Sequence, residues 1–211
     1  MDSENPDGAG NQQESLSSLE RKRWFLAGVV EGEGSVHIAL KSHPTRRGGC
    51  YVQPEFFVYQ HRSRRALLEM AQEYFGCGGI RPKPGNPDVL VYSVISRGDI
   101  VARVLPFLED MLELSARRED LRIFIAIVLM LEADIHRTIE GLACIVRLAY
   151  AMNMAGKQRR IPLETLLDRI LRGHTPDAPG AGAKRWSDLH GDVESQAERK
   201  RPGHSVEVTE G

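Results

Sequence analysis

Cysteine is scarce in this sequence, and long apolar runs are missing altogether. Cys50, Cys77 and Cys144 stand apart, with no C-x-x-C pair among them. That argues against a zinc ribbon or a disulfide framework and fits a reducing compartment. The longest apolar stretch, Ile123 to Leu131, is closed by Arg122 and Glu132, whereas a bilayer-spanning helix needs roughly 20 such residues. The acidic, polar N-terminus is no secretory signal. Net charge is nearly absent too, since 28 Lys and Arg oppose 29 Asp and Glu. The expectation is a soluble intracellular protein, cytoplasmic or nucleoid-associated in a bacterium, with an organelle also open.

Charge is present locally. Residues 1–20 carry Asp2, Glu4, Asp7, Glu14 and Glu20 and no Lys or Arg. From Lys41 to Lys83 eight basic residues face three acids, a local balance of +5. Such an excess is either a footprint for phosphate or a solvated basic face.

Residues 1–16 and 173–211, rich in Gly, Pro and polar residues, are expected to be disordered. Between them Ser17-x-x-Glu20 is a capping box that opens a helix running to about Val30. Ser35 to Lys41 alternates, with Val36, Ile38 and Leu40 opposite His37, Ala39 and Lys41; Val52 to Gln60 alternates likewise. Pro54 suggests an edge position for that second strand. A helix over Arg62–Phe75 stops at Gly76, and strands at Ile80–Lys83 and Val89–Ile95 flank Pro84-Gly85-Asn86-Pro87. Helices follow over Ile100–Leu108 and Ala116–Asn153, the latter broken near Ala133 or Gly141. Pro162 is placed at the first position of a last helix ending near Leu171. The order predicts an α+β fold with an antiparallel sheet, a core over 17–131 and a helical extension over 132–172.

The segment that carries chemistry is Leu26-Ala27-Gly28-Val29-Val30-Glu31-Gly32-Glu33-Gly34. Gly28 and Gly32 share one helical face and let another backbone come close. The helix then ends in two carboxylates, which its macrodipole opposes by up to about 1 kcal/mol each. If two copies pack through the glycines, two Glu33 side chains also approach each other. A cation relieves both penalties, and oxygen donors of this kind suit Mg2+. His37, His43 and His61 lack any metal-ligand spacing.

These residues resemble the LAGLIDADG motif of homing endonucleases, in the branch with one motif per chain. The resemblance extends over roughly 20–131, through Phe56-Phe57-Val58-Tyr59-Gln60, Arg64-Arg65, Gly76-Cys77-Gly78, Ile80-Arg81 and Pro106-Phe107-Leu108. It implies an α-β-β-α-β-β-α core whose four strands form a saddle over double-stranded DNA. It also implies a homodimer joined through the motif helix, with Leu26, Ala27, Gly28 and Glu31 at the interface. The reaction implied is metal-dependent hydrolysis of both strands at a near-palindromic site, of the intron- or intein-homing type. Glu33 then holds the metal with the Gly32 carbonyl, and Gln60, Arg64 and Arg117 assist catalysis. Arg117 stands where the family usually has lysine. Base and backbone contacts fall to His37, Lys41, Arg46, Arg47, Gln53, Glu55, Phe57, Tyr59, Arg62, Arg65, Arg81, Lys83, Asp88, Leu90 and Tyr92. Gly141 to Arg147 is a poor second motif without acids, so one chain is expected to need a partner. The same scaffold also serves non-cleaving RNA maturases and transcriptional regulators, which is the alternative reading.

Overall fold

The computed structural model describes residues 17–43, 47–152, 159 and 161–172. The expectations of disorder for 1–16 and 173–211 lie outside them. α1 (Ser18–Glu33) begins on the capping box. The Ser17 hydroxyl accepts from the Glu20 amide at 3.2 Å, and the Ser17 amide donates to the Glu20 carboxylate at 2.7 Å. These bonds satisfy two amides that a helix start leaves open, and they hold the Glu20 carboxyl below its usual range. The helix continues past Val30, so both motif carboxylates lie in its last turn.

β1 (Gly34–Ser42) follows at once, then β2 (Cys50–His61), α2 (Arg65–Phe75), β3 (Gly79–Lys83) and β4 (Asn86–Val94). The four strands form one antiparallel sheet in the order β1-β2-β4-β3, as the α+β expectation requires. β2 is therefore interior, against the edge position that Pro54 suggested. Pro54 is tolerated because pairing with β4 begins only at Phe56, so its missing amide interrupts no ladder there.

α3 (Arg97–Asp99), a π turn (Ile100–Val104) and α4 (Leu105–Met111) run on as one helical segment. The widened turn precedes Pro106, which has no amide to close an ordinary helical bond. α5 (Arg118–Glu132) ends where a break was expected. Asp134 takes a left-handed conformation, and Thr138 caps α6 (Ile139–Ala151). Pro162 precedes α7 (Leu163–Leu171) as its cap rather than opening it.

One hydrophobic core takes in residues from Leu26 on α1 to Ile170 on α7. Its aromatic centre joins β2, α2, β4 and α4: Phe75 meets Phe56 edge-on at 5.5 Å and Phe107 at 5.1 Å, and stacks on Tyr92 at 6.1 Å. Gly78 belongs to this centre. Its φ is +75°, and a Cβ there would stand 2.6 Å from the Ser93 carbonyl, so only glycine lets the chain pass so close to β4. Among the described residues no helix is long and apolar enough to cross a membrane.

Candidate active site

The last turn of α1 holds Glu31 and Glu33 but no basic residue of its own. The compensation comes from the start of α5. Arg117 donates from Nη1 to the Gly34 carbonyl at 2.7 Å and from Nη2 to the Val30 carbonyl at 2.8 Å. One guanidinium thus grips the backbone on both sides of Glu33 and places positive charge at the negative end of the helix. Glu31 is bound into the same cluster, accepting from the Ser115 hydroxyl at 2.7 Å and the Ala116 amide at 3.0 Å. Gly34 makes the crowding possible, since a Cβ there would lie 2.4 Å from the Val30 carbonyl oxygen.

This geometry gives two of the expected site residues partners within the chain. Glu31 was assigned to the dimer interface, yet its carboxylate is spent inside the chain. Arg117 was assigned to catalysis, yet its hydrogen bonds go to the helix end. Leu26, also assigned to the interface, is wholly buried against the sheet. The exposed line of α1 consists instead of Phe25, Gly28 and Gly32, with Trp24 beside it and Ala27 half-buried at its margin. The helix is apolar on both sides, so its sequence does not say which side faces inward. At Gly28 and Gly32 an added Cβ would meet nothing within 4 Å, so that face is open.

Glu33 itself is exposed and, among the described residues, has no hydrogen-bond or ion-pair partner. Gln60 is buried near the end of β2. Because Gly34 pairs with Val58, Gln60 lies two residues beyond that pair, at the level of the α1 terminus. The basic run that follows divides by partner. Arg62 pairs with Asp88 at 3.4 Å and Arg65 with Glu69 at 2.7 Å, whereas exposed Arg64 has no partner among the described residues.

The sheet covers its inner face with α1, α2 and the later helices and leaves the other open. The register places Ser35 beside Phe57, His37 beside Glu55 and Lys41 beside Tyr51. It also places Tyr59 beside Val91, which pairs with Arg81. Cross-strand partners share a face, so His37, Lys41, Gln53, Glu55, Phe57, Tyr59 and Arg81 line the open side as expected. Leu90 and Tyr92 do not: both belong to the hydrophobic core, and Val89, Val91 and Ser93 hold the opposite phase, Val91 and Ser93 being themselves buried. Val89-Leu90-Val91-Tyr92 is apolar throughout, so alternation cannot choose its face, and only pairing with β2 does.

Open-face side chains engage one another. Lys41 donates to the Gln53 side-chain carbonyl at 2.7 Å and lies 3.7 Å from the Glu55 carboxylate. The Lys83 ammonium sits 5.2 Å from the centre of the Tyr59 ring. Burial raises the Glu55 pKa, with Lys41 opposing, and burial raises that of Tyr59, with Glu55 adding. Arg46 and the Arg47 side chain lie outside the described residues.

Among the described residues no three His, Cys, Asp or Glu side chains gather as a metal site. What α1 offers is one unpaired carboxylate, Glu33, followed and preceded by backbone carbonyls. Such a sparse set of hard oxygen donors suits a cation of the magnesium kind, which completes its shell with water and phosphate oxygens. It does not suit zinc.

The LAGLIDADG endonuclease family model matches residues 26–128. DNA endonuclease I-CeuI of Chlamydomonas moewusii is 33% identical over 134 residues, covering 62% of this chain and 62% of that protein. Homing endonuclease I-ApeII of Aeropyrum pernix is 28% identical over 162 residues, covering 74% and 94% respectively. Among solved structures, the archaeal intron-encoded homing endonuclease I-Vdi141I complexed with DNA superposes with a TM-score of 0.68. It is 28% identical, over 72% of this chain and 96% of that one. Group I intron-encoded homing endonuclease I-CeuI complexed with DNA gives 0.67 at 29% identity, over 74% and 79%. With one motif at residues 26–34, the four-stranded sheet beneath it and these neighbours, the chain belongs to the LAGLIDADG endonuclease family.

Proposed function

We propose that the chain cuts double-stranded DNA as a homodimer, with Glu33 holding Mg2+ at each active site. The observation that carries this reading is Glu33 itself, an exposed carboxylate with no partner among the described residues, at a helix end whose other acid, Glu31, is engaged. An unpaired carboxylate opposed by its own helix dipole costs stability, and a bound cation removes that cost. The cation's contribution is Lewis-acid stabilisation of charge on the phosphate and a lowered pKa for water.

The protein's own groups do the rest. Glu33 and the Gly32 carbonyl supply oxygens. Arg64, free of any acid among the described residues, offers its guanidinium to a phosphate, while the Gln60 amide is placed to orient water near the helix end. Arg62 and Arg65 hold exposed, weak ion pairs and exchange these for the DNA backbone. On the open face His37, Lys41, Gln53, Arg81 and Lys83 read base edges in the major groove, with Glu55, Phe57 and Tyr59 between them. Two copies related by a twofold axis then recognise a near-palindromic site and cut both strands. Homing into an intron or intein locus is the biological role we attach to this chemistry.

A plasmid carrying the uninterrupted host locus should be linearised with Mg2+ and left intact with chelator. RNA binding without any DNA cleavage would instead favour the maturase role. The dimer is tested by Gly28→Leu. The Cβ it adds meets nothing within 4 Å in the protomer and Gly28 is exposed, so thermal stability should hold, while sedimentation should change from dimer to monomer and cleavage should be lost. A variant that sediments as wild type would rule this face out as the interface.

A further inference from the structure

α6, α7 and Arg159 between them lie outside the matched stretch 26–128, yet Arg159 reaches the edge of β1. Arg159 donates from Nη2 to the Ile38 carbonyl at 2.9 Å and to the Ala149 carbonyl at 3.1 Å. Its guanidinium lies 5.1 Å from the centre of the Tyr150 ring. Tyr150 is held in turn by its hydroxyl, which donates to the Ile161 carbonyl at 2.6 Å. Arg159 is half-buried, and no carboxylate pairs with it among the described residues. A cation so placed loses hydration that two carbonyls and a ring only partly replace. It is a costly way to gain stability, and its location suggests another use.

Ile38 sits at the middle of β1, an edge strand paired on one side only. In the alternation of the β1–β2 ladder its amide and carbonyl point away from β2, and the carbonyl is bonded from outside the sheet by Arg159. The residues on either side, His37 and Ala39, project onto the open face. Arg159 adds its charge to the burial that lowers the His37 pKa. Edge strands open more readily than interior ones, and directional contacts with bases tolerate little displacement.

We propose that Arg159 is a positioning residue for target recognition: by gripping the outer edge of β1 it fixes where His37 and Lys41 meet the bases. The inference rests on the DNA-cleaving function proposed above. Arginine suits the task because its guanidinium bonds two carbonyls and stacks on a ring at once, which the single ammonium of lysine does not.

Hydrogen exchange on the free protein, followed by selection of bound duplexes from a randomised library, tests it. In Arg159→Met the amides of His37, Ala39 and Lys41, which bond across to β2, should exchange roughly tenfold faster. The selected sequences should lose preference at the positions that His37→Ala also relaxes, and keep it at those relaxed by Arg81→Ala. Arg159→Lys, which keeps charge and length, should fold as wild type and show the same local relaxation. Unchanged exchange in Arg159→Met, or preference lost evenly along the site, overturns the proposal. If the wild-type protein enriches no duplex, the DNA-cleaving function falls and this role falls with it.

Discussion

Glu33→Gln should lower the cleavage rate on the order of 10³-fold or more while leaving DNA affinity within a few fold. Lewis-acid stabilisation of a phosphoryl transition state is worth several kcal/mol, and about 1.4 kcal/mol separates each decade of rate. The neutral amide keeps the shape of the side chain but gives up the charge that holds a divalent cation. Folding should not suffer, because Glu33 is exposed and has no partner among the described residues to lose. Removing a negative charge from a helix C-terminus should even raise stability slightly, by about 0.3–1 kcal/mol. Single-turnover cleavage, duplex binding and thermal unfolding measured together check all three parts. Cleavage kept within tenfold of wild type would remove Glu33 from the chemistry.

Arg117→Ala should act in the opposite pattern, with a large loss of stability accompanying the loss of rate. Two charge-assisted bonds to the Val30 and Gly34 carbonyls disappear, and Glu31 loses its nearby cation at 3.9 Å. For a partly exposed side chain this should cost roughly 2–3 kcal/mol in denaturant unfolding. Because the grip spans Glu33, the turnover rate should fall more than the apparent substrate affinity weakens. Arg117→Lys should recover part of the stability but little of the rate, since one ammonium does not bridge the two carbonyls as a guanidinium does. Full activity in Arg117→Lys would mean that only the charge matters at this place.

Much of the fold was legible because its signals are local. The capping box, the alternation along β1 and β2, and the left-handed stop at Gly76 each depend on residues a few positions apart. Where the pattern was uniform, it failed. β4 reads apolar on both faces, so Leu90 and Tyr92 were placed on the wrong one. α1 reads apolar on both sides, so Leu26 was placed at an interface that Phe25 is free to form. The motif identified Glu33 and its glycines, but its residues could not reveal that Glu31 would be spent on Ser115 and Ala116.

By itself the sequence determined the elements, their order, and the carboxylate on which the proposed chemistry rests. Tertiary structure alone decided which acid stayed free. The groups that neutralise Glu31 and cap the helix lie more than 80 residues away in the chain, as does the guanidinium of Arg159 that reaches Ile38. Hydrogen bonds and charges act through space over a few ångströms, so which of two neighbouring carboxylates finds a partner is set by folding, and no spacing along the chain encodes it.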